Sequence, residues 1–392
     1  MLKKLVMENF LSFKERTEID FMKTNYTILS NNVNQDNILK GVIFVGANAS
    51  GKTNVLKAIE FIINLFFGDS KEDDKLKKYC LFGNRGYYLL EYTFLIDNSE
   101  VNYSIKVELD NDSLLDDASL FEKLTINGQL YFKRDGDYAI SYINDKNGVE
   151  YSEEIAKDLS FLRTIYFNTK FAGNTILVKW MNFLKNSISC NLYTNIMLST
   201  QNDYFDMRKY LDKEGTSKIN EFFKHYNFGQ EIEYDNNAKG KSIEIKSNEK
   251  MIFFRRNAID EPIPIDMESL GNCTLVRLLP VFLSAIENNS MLIVDEFSSG
   301  FHNDLEELLV KHFMKYAKNS QLFLVSHSTN LLSNSIFRPD QEYSVYFDGA
   351  NGSKLKRFSD EQPRNAQNVE KMYNSGVFGG LPNYEVVDNE DK

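Results

Sequence analysis

The sequence predicts an α/β chain with an antiparallel β subdomain and an inserted, mostly helical arm, and three observations carry that expectation. Short continuous apolar runs at Val42–Val45, Met291–Val294 and Leu322–Val325 read as strands covered on both faces. From Tyr87 to Ile143 the pattern alternates apolar and polar, with turn signals at Asn127-Gly128 and Asp135-Gly136 and a further one at Asn147-Gly148, which predicts an antiparallel meander. From about Glu153 to Asn227 the period becomes helical. The expected division is an N-terminal lobe over 1–150, the inserted arm over 151–262 and a C-terminal lobe over 263–392.

Taken in order, residues 2–29 alternate in LKKLVMENF, TEIDF and YTILS and read as N-terminal strands. A polar loop, Ser30–Asn37, leads to the strand at 42–45. The helix expected from about Asn54 to Phe67 has only Lys57, Glu60 and Asn64 as polar positions, so nearly its whole circumference must be packed on a sheet. A charged loop, SKEDDKLKK, precedes the meander. In the arm, Ile176, Leu177, Trp180, Phe183, Leu184 and Ile188 make one apolar stripe and Ile219, Phe222, Phe223 and Tyr226 another, with Trp180 read as core and His225 given no chemistry. Short β segments (IEY, SIEI, MIFF) follow, and Pro262 and Pro264 mark a joint. The last third returns to α/β: an apolar helix after MESLGN with a kink expected at Pro280, the strand at 291–294, an amphipathic helix bearing Leu305, Leu308, Leu309, Phe313 and Tyr316, and the strand at 322–325. The tail after Phe337 is mixed and ends in the acidic VVDNEDK.

The chain of 392 residues has a net charge of −11 and a pI of about 5.1, which argues against a surface that coats nucleic acid indiscriminately. Its 3 cysteines (Cys80, Cys190, Cys273) are far apart with no C-x-x-C, which excludes a zinc module or disulfide framework and fits a reducing cytoplasm. Charges interrupt the apolar runs of MLKKLVMENFLSFKER, so no signal peptide is expected, and no apolar run suggests a membrane span.

Gly46–Thr53 fits G-x-x-x-x-G-K-[ST] at every fixed position, between a strand and a helix. In such a loop the backbone N–H groups wrap phosphates, Lys52 reaches the β- and γ-phosphates, and the Thr53 hydroxyl binds Mg²⁺, so ATP and Mg²⁺ are the expected ligands. The strand ending in Asp295-Glu296 supplies, beside such a loop, a carboxylate for Mg²⁺ and a second that polarises the attacking water. His327, at the end of the third strand, is placed to donate to the γ-phosphate. Ser269 and Gly271, at the start of the helix after MESLGN, offer a hydroxyl and an N–H to an anion, and Ser269 also reads as an N-cap. His302 stands either at a subunit interface or as a helix N-terminal contact, and His312 falls on an apolar helical stripe and reads as core. Ligands of open α/β sheets bind at the carboxyl ends of strands, so one site served by Gly46, Asp295-Glu296 and Ser326-His327 is expected.

The order of these pieces resembles an ABC-type P-loop ATPase. The interval from Gly46 to Asp295, about 250 residues long, resembles the RecF/SMC-like branch. ENFLSF (8–13), GANASGKTN (46–54), ESLGN (268–272), IVDEFSSGFH (293–302), VSHS (325–328) and GVFGGLPN (376–383) resemble the OLD-like ATPases of bacterial antiphage and abortive-infection systems, including the AbiL, RloA and PARIS ATPase subunits. Leu270 and Asn272, and Phe297 and Gly300, depart from the family's usual signature and D-loop patterns, and Gln129 in a hairpin is the one candidate for its Q-loop glutamine. The resemblance implies that Gly46, Asn48, Ser50, Gly51, Lys52, Thr53 and Asn54 hold nucleotide, with Ser269 and Gly271 of a second copy closing the site in a head-to-tail homodimer or higher homo-oligomer. It further implies a role as sensor or regulator of a separate effector, a nuclease or toxin, with a phage-encoded trigger. Only 65 residues follow His327 and they hold no D-x-D, so a nuclease would be a partner chain. Two other readings follow from the same motifs. One is a RecF/SMC-like DNA-repair ATPase, for which Arg255-Arg256, Lys354, Lys356 and Arg357 are candidate contacts; the other is a transporter motor, disfavoured by the long insertion.

Overall fold

The structure, a computed structural model, describes residues 1–68, 78–83, 86–109, 118–152, 155–156, 159–194, 196–199, 205–299 and 302–381. The charged loop after Gly68, Gly300 of the D-loop region, Pro382-Asn383 and the acidic end of the chain lie outside these residues.

In chain order the elements are β1 (Leu2–Glu8), β2 (Thr17–Asp20), β3 (Gly41–Val45), α1 (Lys52–Phe67), β4 (Tyr87–Ile96), β5 (Ser99–Leu109), β6 (Ala118–Ile126), β7 (Gln129–Asp135), β8 (Tyr138–Ser141) and β9 (Val149–Tyr151). Next come α2 (Phe161–Thr169), α3 (Thr175–Lys185), β10 (Ile188–Asn191), β11 (Ile196–Ser199), α4 (Met207–Glu214), α5 (Ser217–His225), β12 (Gln230–Lys239), β13 (Glu244–Arg256) and β14 (Ile259–Pro264). The remainder is α6 (Leu270–Glu287), β15 (Met291–Asp295), α7 (Asn303–Tyr316), β16 (Gln321–Val325), β17 (Glu342–Phe347), β18 (Ser353–Arg357) and α8 (Val369–Asn374).

The first sheet, β2-β1-β4-β5-β6-β7-β8-β9, is antiparallel throughout and contains the expected meander. Asn127-Gly128 forms the β6–β7 turn with positive φ at both residues, as a two-residue hairpin requires. The second sheet, β11-β10-β15-β16-β3-β17-β18, is parallel from β10 to β17, with antiparallel strands at both edges. β3 explains why its sequence is apolar without alternation. Val42 and Phe44 enter the core shared with the first sheet, α1, α2 and α3, whereas Ile43 and Val45 enter the core under α6 and α7. Trp180 is fully buried in the first core, its ring against Phe66, Phe94 and Tyr103.

The segment expected as a mostly helical arm differs from that expectation. Its helices are short, and α3 ends at Lys185, so Ile188 opens a strand rather than extending the helical stripe. A β-branched residue after the Asn186-Ser187 helix stop suits a strand, and β10 pairs in parallel with β15, so part of the segment belongs to the central sheet. The remainder forms a third sheet, β12-β13-β14, packed on α5. Pro262 and Pro264 lie inside β14 instead of at a joint; β14 is an edge strand, where the missing N–H breaks no ladder. YTILS forms no strand, because Leu29 takes a left-handed conformation that leads into a single 3₁₀ turn. Among the described residues α6 alone has the length and hydropathy of a membrane span, yet Leu275, Val276, Leu278, Leu279, Val281 and Phe282 are buried in the second core. It passes through Pro280 without interruption.

Candidate nucleotide site

The parallel sheet brings the carboxyl ends of β10, β15, β16, β3 and β17 to one edge, so that the segments around Gly46, Asp295-Glu296 and Ser326-His327 converge there. The loop after β3 needs its glycines. Gly46 has φ 155°, and a Cβ on it would lie 2.1 Å from the Val345 carbonyl oxygen. Gly51 has φ 108°, and a Cβ there would meet Ser353 Oγ at 2.3 Å and Ser12 Oγ at 2.7 Å. The loop is braced from outside: Ser353 Oγ donates to the Ser50 carbonyl at 2.7 Å, Asn54 Nδ2 donates to Ser12 Oγ at 2.7 Å, and the Ala47 N–H donates to the Gly380 carbonyl at 2.8 Å.

Lys52 is 5% exposed, and its ammonium donates to the carbonyls of Gly46 at 2.9 Å and Ala47 at 2.8 Å. Burial pushes its pKa down, opposed by the nearby charges of Glu296 and Asp295. Thr53 Oγ1 donates to Asp295 Oδ1 at 3.3 Å, so the loop hydroxyl and the carboxylate at the end of β15 share one place. Burial pushes the Asp295 carboxyl up, against the Thr53 hydrogen bond. His327 Nε2 and Glu296 Oε1 are 3.3 Å apart, and Glu296 holds φ 56°, a strained value for a non-glycine residue that turns its side chain away from the strand.

The residues fit a triphosphate and a hard divalent cation. Ser50 Oγ is buried inside the loop without a hydrogen-bond partner, and a phosphate oxygen at the loop would satisfy it. Thr53 and Asp295 offer oxygen ligands of the kind Mg²⁺ prefers. No group of three or more His, Cys, Asp or Glu side chains able to hold a metal exists among the described residues, so such a cation would need phosphate oxygens as further ligands. Asn48, in the same loop, is exposed.

Two neighbours went unrecognised in the sequence. Asn191, at the end of β10, donates from Nδ2 to Asp295 Oδ2 at 3.3 Å, a place that Gln129, exposed at the start of β7, does not occupy. The period-two run Ile188–Asn191 after a helix stop was its only sequence signal. Glu268 accepts from Arg256, from the Ser269 N–H at 3.0 Å and from Asn272 Nδ2 at 2.9 Å, tying β13 to the start of α6.

Ser269 caps α6, its Oγ accepting from the Asn272 N–H at 3.3 Å, with Gly271 in the first turn. Met267 and Leu270 beside it are 79% and 70% exposed, an apolar tip turned to solvent. His302 caps α7 by accepting from the Asp304 N–H at 3.4 Å, which is the helix-contact alternative. His312 is packed against Phe222, Tyr226 and Tyr316, and burial pushes its pKa down to about 4. The candidate DNA contacts are engaged internally: Arg255 with Glu233, Arg256 with Glu268, Lys354 with Glu15, Lys356 with Glu361, and Arg357 with the Met22 carbonyl.

The family described as "AAA domain, putative AbiEii toxin, Type IV TA system" matches residues 42–141 and 195–333, more than half of the chain. The chain belongs to that family. Its fold is mixed α/β, with an antiparallel sheet beside a mainly parallel one. Similar solved structures include the SMC head domain from Thermotoga maritima, at 16% identity and a TM-score of 0.48 over 90% of this chain and 97% of that one. An SmcHead bound to the C-winged helix domain of ScpA is similar at 13% identity and a TM-score of 0.48, over 90% and 97% of the two chains. No curated protein matches the sequence.

Proposed function

We propose that this chain binds and hydrolyses ATP with Mg²⁺, dimerises on ATP, and in the cytoplasm controls a separate effector of antiphage, abortive-infection defence. One observation carries the ATPase reading: Lys52, Thr53, Asp295, Glu296 and His327 come from three separate strand ends and meet at one loop with an unsatisfied hydroxyl. Lys52 and the loop N–H groups hold phosphates, Thr53 and Asp295 hold the cation, Glu296 orients and polarises water, and His327 holds both Glu296 and the terminal phosphate in register. Bound Mg²⁺ supplies charge neutralisation on the phosphates. The control role is supported by the antiphage-type motifs along the chain and by the toxin–antitoxin description of its family. The exposed Met267-Leu270 tip beside Ser269 suits contact with a second copy.

The test has two arms. Glu296→Gln should retain ATP binding while slowing turnover by about 10²-fold or more, because it keeps the shape and loses the base. In cells, the chain expressed alone should be harmless, and with its neighbouring gene it should restrict phage, in a manner altered by Glu296→Gln. Toxicity or nucleic-acid cleavage by the single chain, abolished by Lys52→Ala, would make this protein the effector instead.

A further inference from the structure

The run GVFGG, singled out in the sequence but given no role by the phosphate chemistry, ends a segment that is bonded to both halves of the site. At one end of its segment, Glu370 on α8 accepts a hydrogen bond from Thr329 Oγ1 at 2.8 Å, two residues beyond His327. At the other end, the Gly380 carbonyl accepts the Ala47 N–H of the phosphate loop at 2.8 Å. The stretch between is tied down along its length. Phe378 is fully buried and stacks on Phe358 at 3.8 Å and 6°, and Ser344 Oγ donates to the Phe378 carbonyl at 2.5 Å. Tyr373 OH donates to the Gly380 carbonyl at 3.2 Å, so the acceptor that holds Ala47 is itself held. The approach is close, since a Cβ on Gly380 would lie 3.6 Å from Gly46 Cα and 3.2 Å from Ser344 Cβ, at a φ of 78°.

We propose that residues 369–380 are a strap that positions the His327 loop against the phosphate loop, with Glu370 as the positioning residue at one end and the Gly380 carbonyl at the other. The inference rests on the ATPase reading for its kinetic consequence. His327 follows a strand end, and the hydrogen bond from Thr329 to Glu370 restrains the loop beyond it from outside the sheet. The phosphate loop shares that restraint through Ala47, so a shift at either end is transmitted through a packed, bonded segment. Glu370 touches no reacting atom; it acts through Thr329.

The experiment compares variants that cut the strap with variants that keep its hydrogen bond. Glu370→Ala and Thr329→Val should lower kcat roughly 10-fold while leaving the KM for ATP within about twofold, as expected when a loop is misplaced and binding is kept. Glu370→Gln and Thr329→Ser, which retain an acceptor and a donor, should restore wild-type turnover. Gly380→Ala combined with Glu370→Ala should be non-additive in kcat, the signature of one coupled unit. Amide hydrogen exchange supplies a readout independent of hydrolysis: Glu370→Ala should speed exchange in residues 46–51 as well as 326–331, with the β4–β6 meander unchanged. Wild-type turnover in the Ala and Val variants, failure of the conservative variants to rescue, or faster exchange confined to one end would overturn the strap. Absence of ATP turnover in the wild-type chain would overturn the ATPase reading alone, and the exchange experiment would still decide the strap.

Discussion

Glu306 provides a sharp test of the electrostatics beside the site. It lies in the first turn of α7, is 1% exposed, and its Oε2 is buried with no hydrogen-bond partner. Burial pushes its carboxyl up from 4.5 to about 7, opposed by a hydrogen bond with Ser328. The folded protein therefore holds this proton more tightly than the unfolded chain. Stability falls as pH rises from the unfolded value towards 7, and is constant beyond it. A shift of that size corresponds to about 3 kcal/mol. Glu306→Gln keeps the shape and removes the titration, so wild type and variant should be similarly stable at pH 4.5 and differ by about 3 kcal/mol at pH 8, the variant being the more stable. Urea unfolding at a series of pH values measures the difference directly. A gap between wild type and variant that does not change between pH 4.5 and 8 would refute the reasoning.

The remaining predictions concern the nucleotide. Lys52→Ala should weaken equilibrium binding of ATP much more than that of AMP, because the lost ammonium serves the outer phosphates; equal weakening in titrations with a fluorescent analogue and competitors would remove Lys52 from that role. If Ser269 closes the site of a second copy, mixing inactive Lys52→Ala and Ser269→Arg chains should restore part of the ATP hydrolysis, since each heterodimer contains one undamaged composite site. Heterodimers shown by mass spectrometry and lacking any activity would count against a shared site, as would a Glu296→Gln chain that stays monomeric by light scattering in saturating ATP.

The central strands and the backbone of the loop after β3 were legible because their signals are local. A strand buried on both faces must be apolar along its middle, as Val42–Val45, Met291–Val294 and Leu322–Val325 are. The loop after β3 must carry glycine where a Cβ would strike Val345 or Ser353. Hairpins in the meander announced themselves through residues tolerant of positive φ, and the N-cap role of Ser269 through its place before an apolar helix. Less was legible where the same residue type serves two structures. Ile188 continues a helical stripe by spacing, yet it begins β10, because pairing with β15 outweighs a period that a single residue can satisfy by chance.

By itself the sequence determined the alternation of buried strands and packed helices, the glycine-bracketed loop from Gly46 to Thr53, and the acidic strand end at Asp295-Glu296. Each depends on residues within one turn or one strand of each other. Tertiary structure alone decided that Asn191 lies beside Asp295, that Glu268 braces the start of α6, and that Gly380 and Glu370 join the two loops of the site. The Thr329–Glu370, Asn191–Asp295 and Ala47–Gly380 contacts link residues about 40 to 330 positions apart, through strand order and single hydrogen bonds. Strand order follows from how two apolar cores are shared across one sheet, a global packing solution that leaves no mark on the spacing of neighbouring residues.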